Sequence, residues 1–175
     1  SRAGGVLYSD YSLGRFFAEA ARQPWFENTI FLVTADPCAS SAGRTEIPLQ
    51  KYHIPALILA PGLIEPGVVD GIVSQIDLMP TLFSLLGMDY DSWFYGRDIL
   101  ADDFRERAFV ATYQDLGYLE GDRFTVLSPV DRAEQFLLRP TDDDPYALER
   151  TEAIDSTHLN RAISLYQTSS QWNKR

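Results

Sequence analysis

The stretch Thr29-Ile30-Phe31-Leu32-Val33-Thr34-Ala35-Asp36-Pro37-Cys38 decides the reading of this chain. An apolar run ends abruptly on a single carboxylate. Ile30, Phe31, Val33 and Thr34 are β-branched or aromatic, which predicts a buried strand over Thr29 to Ala35. In open α/β sheets, function collects just past the carboxyl ends of strands. Asp36 therefore stands where a metal ligand or a catalytic acid would stand. Pro37 has no backbone N–H and no group able to bind or transfer anything. A site wanting two adjacent polar ligands here has at most one.

Upstream, Leu13, Phe16, Phe17, Ala20 and Ala21 recur at helical spacing. They predict a helix from about Asp10 to Arg22, capped by Ser9 or Asp10 and stopped by Pro24. Downstream, Asp36 to Lys51 is a polar stretch too long for a plain connector. A second buried strand is expected at Ala56 to Ala60, ended by Pro61-Gly62. With no helix between the two strands, they do not form a simple βαβ unit. Asp77 opens a helix running to about Leu86, with Pro80 in its first turn and Gly87 closing it.

The texture changes after about Asp102. Arg107 to Tyr113, Arg123 to Leu127 and Ala133 to Leu138 read as short strands. Leu116-Gly117, Glu120-Gly121-Asp122 and Ser128 to Asp131 read as the turns between them. That spacing predicts an antiparallel meander. Residues 139–156 are acidic and Pro-containing, and read as a loop or a partly disordered stretch. A final helix is expected from Thr157 to Gln171, with Leu159, Ala162, Ile163 and Tyr166 on one face and His158 exposed at its start. The division expected is an α/β part over residues 1–101 and a small α+β part over residues 102–175.

The 175 residues carry 15 Lys and Arg against 25 Asp and Glu, a net charge of -10. Such a chain repels nucleic acid, and no basic stripe overrides the repulsion. Broad adhesion to an anionic membrane face is disfavoured too. One cysteine excludes an internal disulfide and a Cys-based zinc cage. No apolar run is long enough to span a bilayer. The opening residues Ser1-Arg2-Ala3-Gly4-Gly5 are not a secretory leader. The chain is then either cytosolic or a piece of a longer exported or anchored protein.

Four segments, in order and in register, carry a resemblance over most of residues 1–128. They are Tyr8 to Phe17, Asn28 to Asp36, Lys51-Tyr52-His53-Ile54-Pro55 through Gly62, and Ser74-Gln75-Ile76-Asp77 through Gly87. Together they resemble the C-terminal half of a sulfatase-type domain of the alkaline phosphatase superfamily. Within it they look most like the lipoteichoic acid synthase-like phosphoglycerol transferases. The resemblance implies an α/β fold, the C-terminal half of an alkaline phosphatase-like sandwich, followed by a small antiparallel sheet with one helix. It implies a sulfate or phosphate ester substrate and a covalent mechanism. A Thr, Ser or formylglycine nucleophile attacks sulfur or phosphorus, helped by one or two divalent metals (Mn, Mg, Zn or Ca). It also implies a membrane-anchored protein, with this domain outside the cytoplasm and the membrane segments outside this chain.

Two departures stand out. The family's strand ends in Asp-His, and its metal-binding His falls on Pro37. The strand carrying the nucleophile and the first metal acid would lie upstream of Ser1. The expectation is that this chain by itself has no turnover and binds no metal tightly. The alternative is a degenerate, non-catalytic binding or scaffold module of the same fold.

The resemblance makes Asp36 the metal ligand, against a plain loop-capping Asp. His53 is either a contact for the transferred group or a structural histidine bonding a main-chain carbonyl. Arg44 and Lys51 either neutralise an anionic substrate oxygen or are solvated surface charge. Arg44 is the one carried forward as a substrate contact with His53. Glu46 is a partner for Arg44, and Cys38 has no visible cation to activate it. Asp77 reads as a helix cap, and Trp25, Trp93 and Phe94 as packing residues.

Overall fold

The computed structural model describes residues 2–36 and 47–172. Two compact units emerge, Ser1–Ala35 with Pro55–Val68, and Asp36–Ile54 with Val69–Arg175.

In the first unit, α1 spans Arg2–Ala20. It begins well before the expected start near Asp10, so Ser9 and Asp10 lie inside the helix rather than capping it. No proline interrupts residues 2–20. Gly4 and Gly5 each cost about 1 kcal/mol relative to alanine, which weakens a helix without stopping it. Leu13 and Phe17 are half-buried and Ala20 is buried, so the expected stripe faces inward along those positions. The stripe meets β1 (Phe31–Thr34). Phe31 gathers Phe16, Phe17, Trp25 and Phe26, with ring centroids 5.4 to 6.2 Å away. Such edge-on and tilted pairs add about 0.5–1.5 kcal/mol beyond area burial.

β1 pairs antiparallel with β2 (Ala56–Leu59), Phe31 opposite Leu59 and Thr34 opposite Ala56. Both strands are shorter than expected, and neither is fully buried. Phe31 to Val33 are half-buried, while Ala56 and Leu57 are exposed. Among the described residues no third strand pairs with either, so each is an edge of this two-stranded sheet.

The second unit is built on a five-stranded antiparallel sheet in the order β3-β4-β5-β6-β7. The strands are β3 Arg107–Ala111, β4 Leu116–Glu120, β5 Arg123–Ser128, β6 Arg132–Leu138 and β7 Leu148–Arg150. The meander is as expected, with two corrections. Leu116-Gly117 is not a turn, because β4 runs through it. Residues 139–156 are not all loop, because β7 pairs with β6 there. Gly117 belongs in the strand for packing reasons. A Cβ there would lie 2.6 Å from Val110 Cγ2 and 2.7 Å from the Phe124 ring.

Alternation along the strands sorts the sheet into two faces. Val110, Leu119 and Phe124 face one way and pack with Ile47 and Leu49. Ile72, Val126, Phe136, Leu138 and Leu148 join that core. Tyr118, Thr125 and Gln135 face the other way, beneath α3 (Ser156–Trp172). Ala162 is fully buried in that layer, and Tyr166 donates its hydroxyl to the carbonyl of Gly117 at 2.7 Å. His158, expected exposed, is buried there as well. Its position in the first turn of the helix points it at the sheet.

A single 3₁₀ turn at Gln75–Asp77 leads into α2 (Leu78–Leu85). Asp77 and Ser74 form a capping box across that turn, which satisfies two otherwise orphaned N–H groups. The helix closes as its sequence predicts. Gly87 takes φ +62°, its N–H bonds Ser84, and the N–H of Met88 bonds Phe83, a Schellman ending. Asp77 does more than cap. Its Oδ1 accepts from the Arg107 guanidinium at 2.9 Å and from the Arg97 N–H at 2.8 Å. Arg107 also donates to the carbonyl of Tyr95 at 2.8 Å. A fully buried carboxylate is thus paired and hydrogen-bonded, the condition under which a buried charge is tolerated. The pair joins α2 and the irregular segment after it to the first strand of the sheet.

Candidate functional site

Asp36 follows Ala35, whose N–H bonds the carbonyl of Pro55 and prolongs the β1–β2 pairing by one step. Asp36 is exposed. It is also the last described residue before a gap, and Pro37, Cys38, Arg44 and Glu46 lie outside the described residues. No group of three His, Cys, Asp or Glu side chains able to hold a metal occurs among the described residues. A divalent cation takes four to eight donors, depending on the ion. Asp36 alone is not such a set, so the described residues do not by themselves fit a metal.

His53 stands in the extended stretch between the 3₁₀ turn Leu49–Lys51 and β2. Its Nδ1 shares a hydrogen bond with Tyr146 Oη, and the two rings meet edge-on at 5.9 Å. The partner is a phenol, not a main-chain carbonyl. The adjacent Tyr52 donates its hydroxyl to the carbonyl of Ala111, at the end of β3. Tyr146 lies in the connection before β7. Since β3 and β7 are the two edges of the sheet, consecutive side chains tie residues 49–54 toward opposite edges.

These ties frame a cavity of about 610 Å³. Leu49, Ile72, Val110, Leu119 and Leu138 line it, with His53 and Tyr146 contributing polar edges. Among the described residues, none that lines it is Asp, Glu, Lys or Arg. The volume falls in the range of small-molecule sites, and an apolar wall with a few fixed polar groups is their usual make-up. A charged ligand would meet no countercharge from the described lining residues, and burying an unpaired charge is costly. Tyr146 was not singled out from sequence. It is 93 residues from His53, in an acidic stretch with no periodicity, so only the fold brings the two together.

Comparison with known proteins bears on what these residues belong to. The sequence pattern described as Sulfatase matches residues 1–88. This chain belongs to the sulfatase family. The matched span of this sulfatase-family chain includes Asp36, His53 and the capping box of α2. A crystal structure of a protein in the alkaline phosphatase superfamily from Vibrio parahaemolyticus is also similar, at 34% identity and a TM-score of 0.86. The likeness covers 99% of this chain and 42% of that one. The chain therefore spans less than half the length of that relative. The α/β architecture expected from the sequence matches part of an alkaline phosphatase-like fold.

Proposed function

We propose that this chain is part of a metal-dependent enzyme that cleaves or transfers sulfate or phosphate esters, in the lipoteichoic acid synthase-like phosphoglycerol transferase branch. The observation that carries the reading is Asp36, two residues past the end of β1 and inside the span matched by the sulfatase family. In that enzyme Asp36 donates to a divalent metal, whose role is to stabilise charge on the transferred group. The remaining donors and the nucleophile come from residues other than those described. Arg44 and His53 contact the substrate. The cavity beside His53 receives an uncharged, apolar part of the ester, a reading supported by the absence of Arg, Lys, Asp and Glu among its described lining residues. The enzyme is anchored in a membrane and works outside the cytoplasm. No helix among the described residues is long and apolar enough to cross a bilayer, so the anchor belongs to other sequence.

Pro37 favours a second reading, a non-catalytic module of the same fold. Proline can neither ligate a metal nor hold a proton. One experiment separates the two. The full open reading frame is expressed with Pro37 and with Pro37→His, and hydrolysis of p-nitrophenyl sulfate and p-nitrophenyl phosphate is followed with added Mn²⁺. Turnover in either form supports the enzyme, and a gain of at least tenfold in Pro37→His locates the defect at that residue. No turnover in either form, with both proteins folded, supports the binding module.

A further inference from the structure

The buried layer between α3 and the sheet holds a hydrogen-bond chain in which each donor and acceptor follows from the one before it. It starts at Asp155, whose N–H donates to Gln135 Oε1 at 2.7 Å. That contact orients the amide, because only the oxygen can accept. Gln135 Nε2 then donates to the carbonyl of Asp155 at 3.1 Å and to Thr125 Oγ1 at 3.0 Å. Thr125 is fully buried, and its Oγ1 lies 2.7 Å from His158 Nδ1. With Gln135 already donating to this hydroxyl, the Thr125 proton has one acceptor among the described residues, His158 Nδ1. Nδ1 is therefore the lone-pair nitrogen and Nε2 carries the hydrogen.

Nε2 is buried and has no hydrogen-bond partner among the described residues. The Tyr118 and His158 rings lie 5.1 Å apart. The hydrogen bond at Nδ1 is thus committed to the neutral form of the imidazole. A proton added at Nδ1 would face the Thr125 hydroxyl proton, and the positive charge would gain no buried acceptor.

We propose that His158 is an acid-sensitive latch, which docks the first turn of α3 on the sheet while neutral and releases it when protonated.

The charged neighbours are consistent with this. On β4, Glu120 draws a proton toward His158, but both its carboxylate oxygens already bond Arg161 of α3. Arg123 on β5 and Arg161 oppose the charge, and Asp155 before α3 favours it. Asp155 is itself engaged by the N–H groups of Thr157 and His158 and by Arg123. Tyr118 on β4 is pushed up to about 12, chiefly by burial, and stays neutral. Burial is the largest influence on His158 and holds its pKa below the ordinary 6.5. The unfolded chain therefore takes up the proton first. The latch contributes fully above pH 6.5 and weakens as pH falls toward the folded value.

The test is nitrogen-15 NMR of the imidazoles with hydrogen exchange of the α3 amides. The chain contains two histidines, and His158→Gln assigns the signals by removing one set. At pH 8, His158 should be the Nε2–H tautomer, and its titration midpoint should fall below 6.5. Exchange at residues 158–162, corrected for the intrinsic pH dependence, should accelerate as pH falls from 6.5 toward that midpoint and level off below it. In His158→Gln the corrected rates should not change with pH. An Nδ1–H tautomer, a midpoint at or above 6.5, or wild-type exchange that does not change between pH 6.5 and the midpoint would overturn the proposal. The tautomer and midpoint are read on the unmodified chain, so they decide the matter even if the variant does not fold.

Discussion

The two units bury apolar side chains in different ways. The unit containing α1 and the β1–β2 pair centres on one aromatic residue, Phe31, with four rings around it. Ala20 and Ala60 are its buried apolar residues, while Val6, Leu7, Tyr8 and Tyr11 stay exposed. The five-stranded unit fills both faces of its sheet. One face holds Val110, Leu119 and Phe124, and the other holds a polar chain from Gln135 to His158. The contrast teaches where stability resides. A sheet covered on two faces excludes water from its hydrogen bonds, whereas a two-stranded ribbon leaves each strand an edge.

Substitutions in each unit test that contrast. The largest loss is expected for Phe124→Ala, which empties a fully buried ring site and should destabilise the sheet unit by about 3–5 kcal/mol in chemical denaturation. Arg107→Met should cost a similar or slightly smaller amount, about 3 kcal/mol or more, because it leaves the Asp77 carboxylate buried without its cation. If Arg107→Met is neutral, the ion pair does not hold α2 to the sheet. Phe31→Ala should cost less, about 1–2 kcal/mol, since its ring is half-buried and its partners are partly in water. A loss as large as that of Phe124→Ala would erase the distinction between the units. The smallest effect is a gain. Val130 is an exposed β-branched residue at φ +63° in the β5–β6 turn. Val130→Asn should stabilise by about 0.5–1 kcal/mol, because asparagine tolerates the left-handed region.

Local chemistry was legible wherever a residue acts on its near neighbours. The inward positions Leu13, Phe17 and Ala20 of α1, Asp77 as a capping residue and the Gly87 closure could be read from spacing, whereas the reciprocal partner Ser74 was not singled out. Where the sequence misled, a long-range contact had overruled the local signal. Gly117 looks like a turn residue, yet the strand needs it because Val110 and Phe124 leave no room for a Cβ. His158 looks like a solvated residue at a helix start, yet Thr125, 33 residues away, draws it into the sheet. Tyr146 gives no local sign of pairing with His53. Asp36 was legible as a strand-ending carboxylate. What surrounds it was not, because metal donors assemble from distant segments.

The proposed role of Asp36 is tested most directly by Mn²⁺ calorimetry on the full-length protein carrying Pro37→His, with and without Asp36→Ala. If Asp36 is a metal ligand, Pro37→His binds Mn²⁺ at least tenfold more tightly than the unaltered protein, and Asp36→Ala abolishes the gain. Mn²⁺ affinity that is unchanged by Asp36→Ala would contradict it.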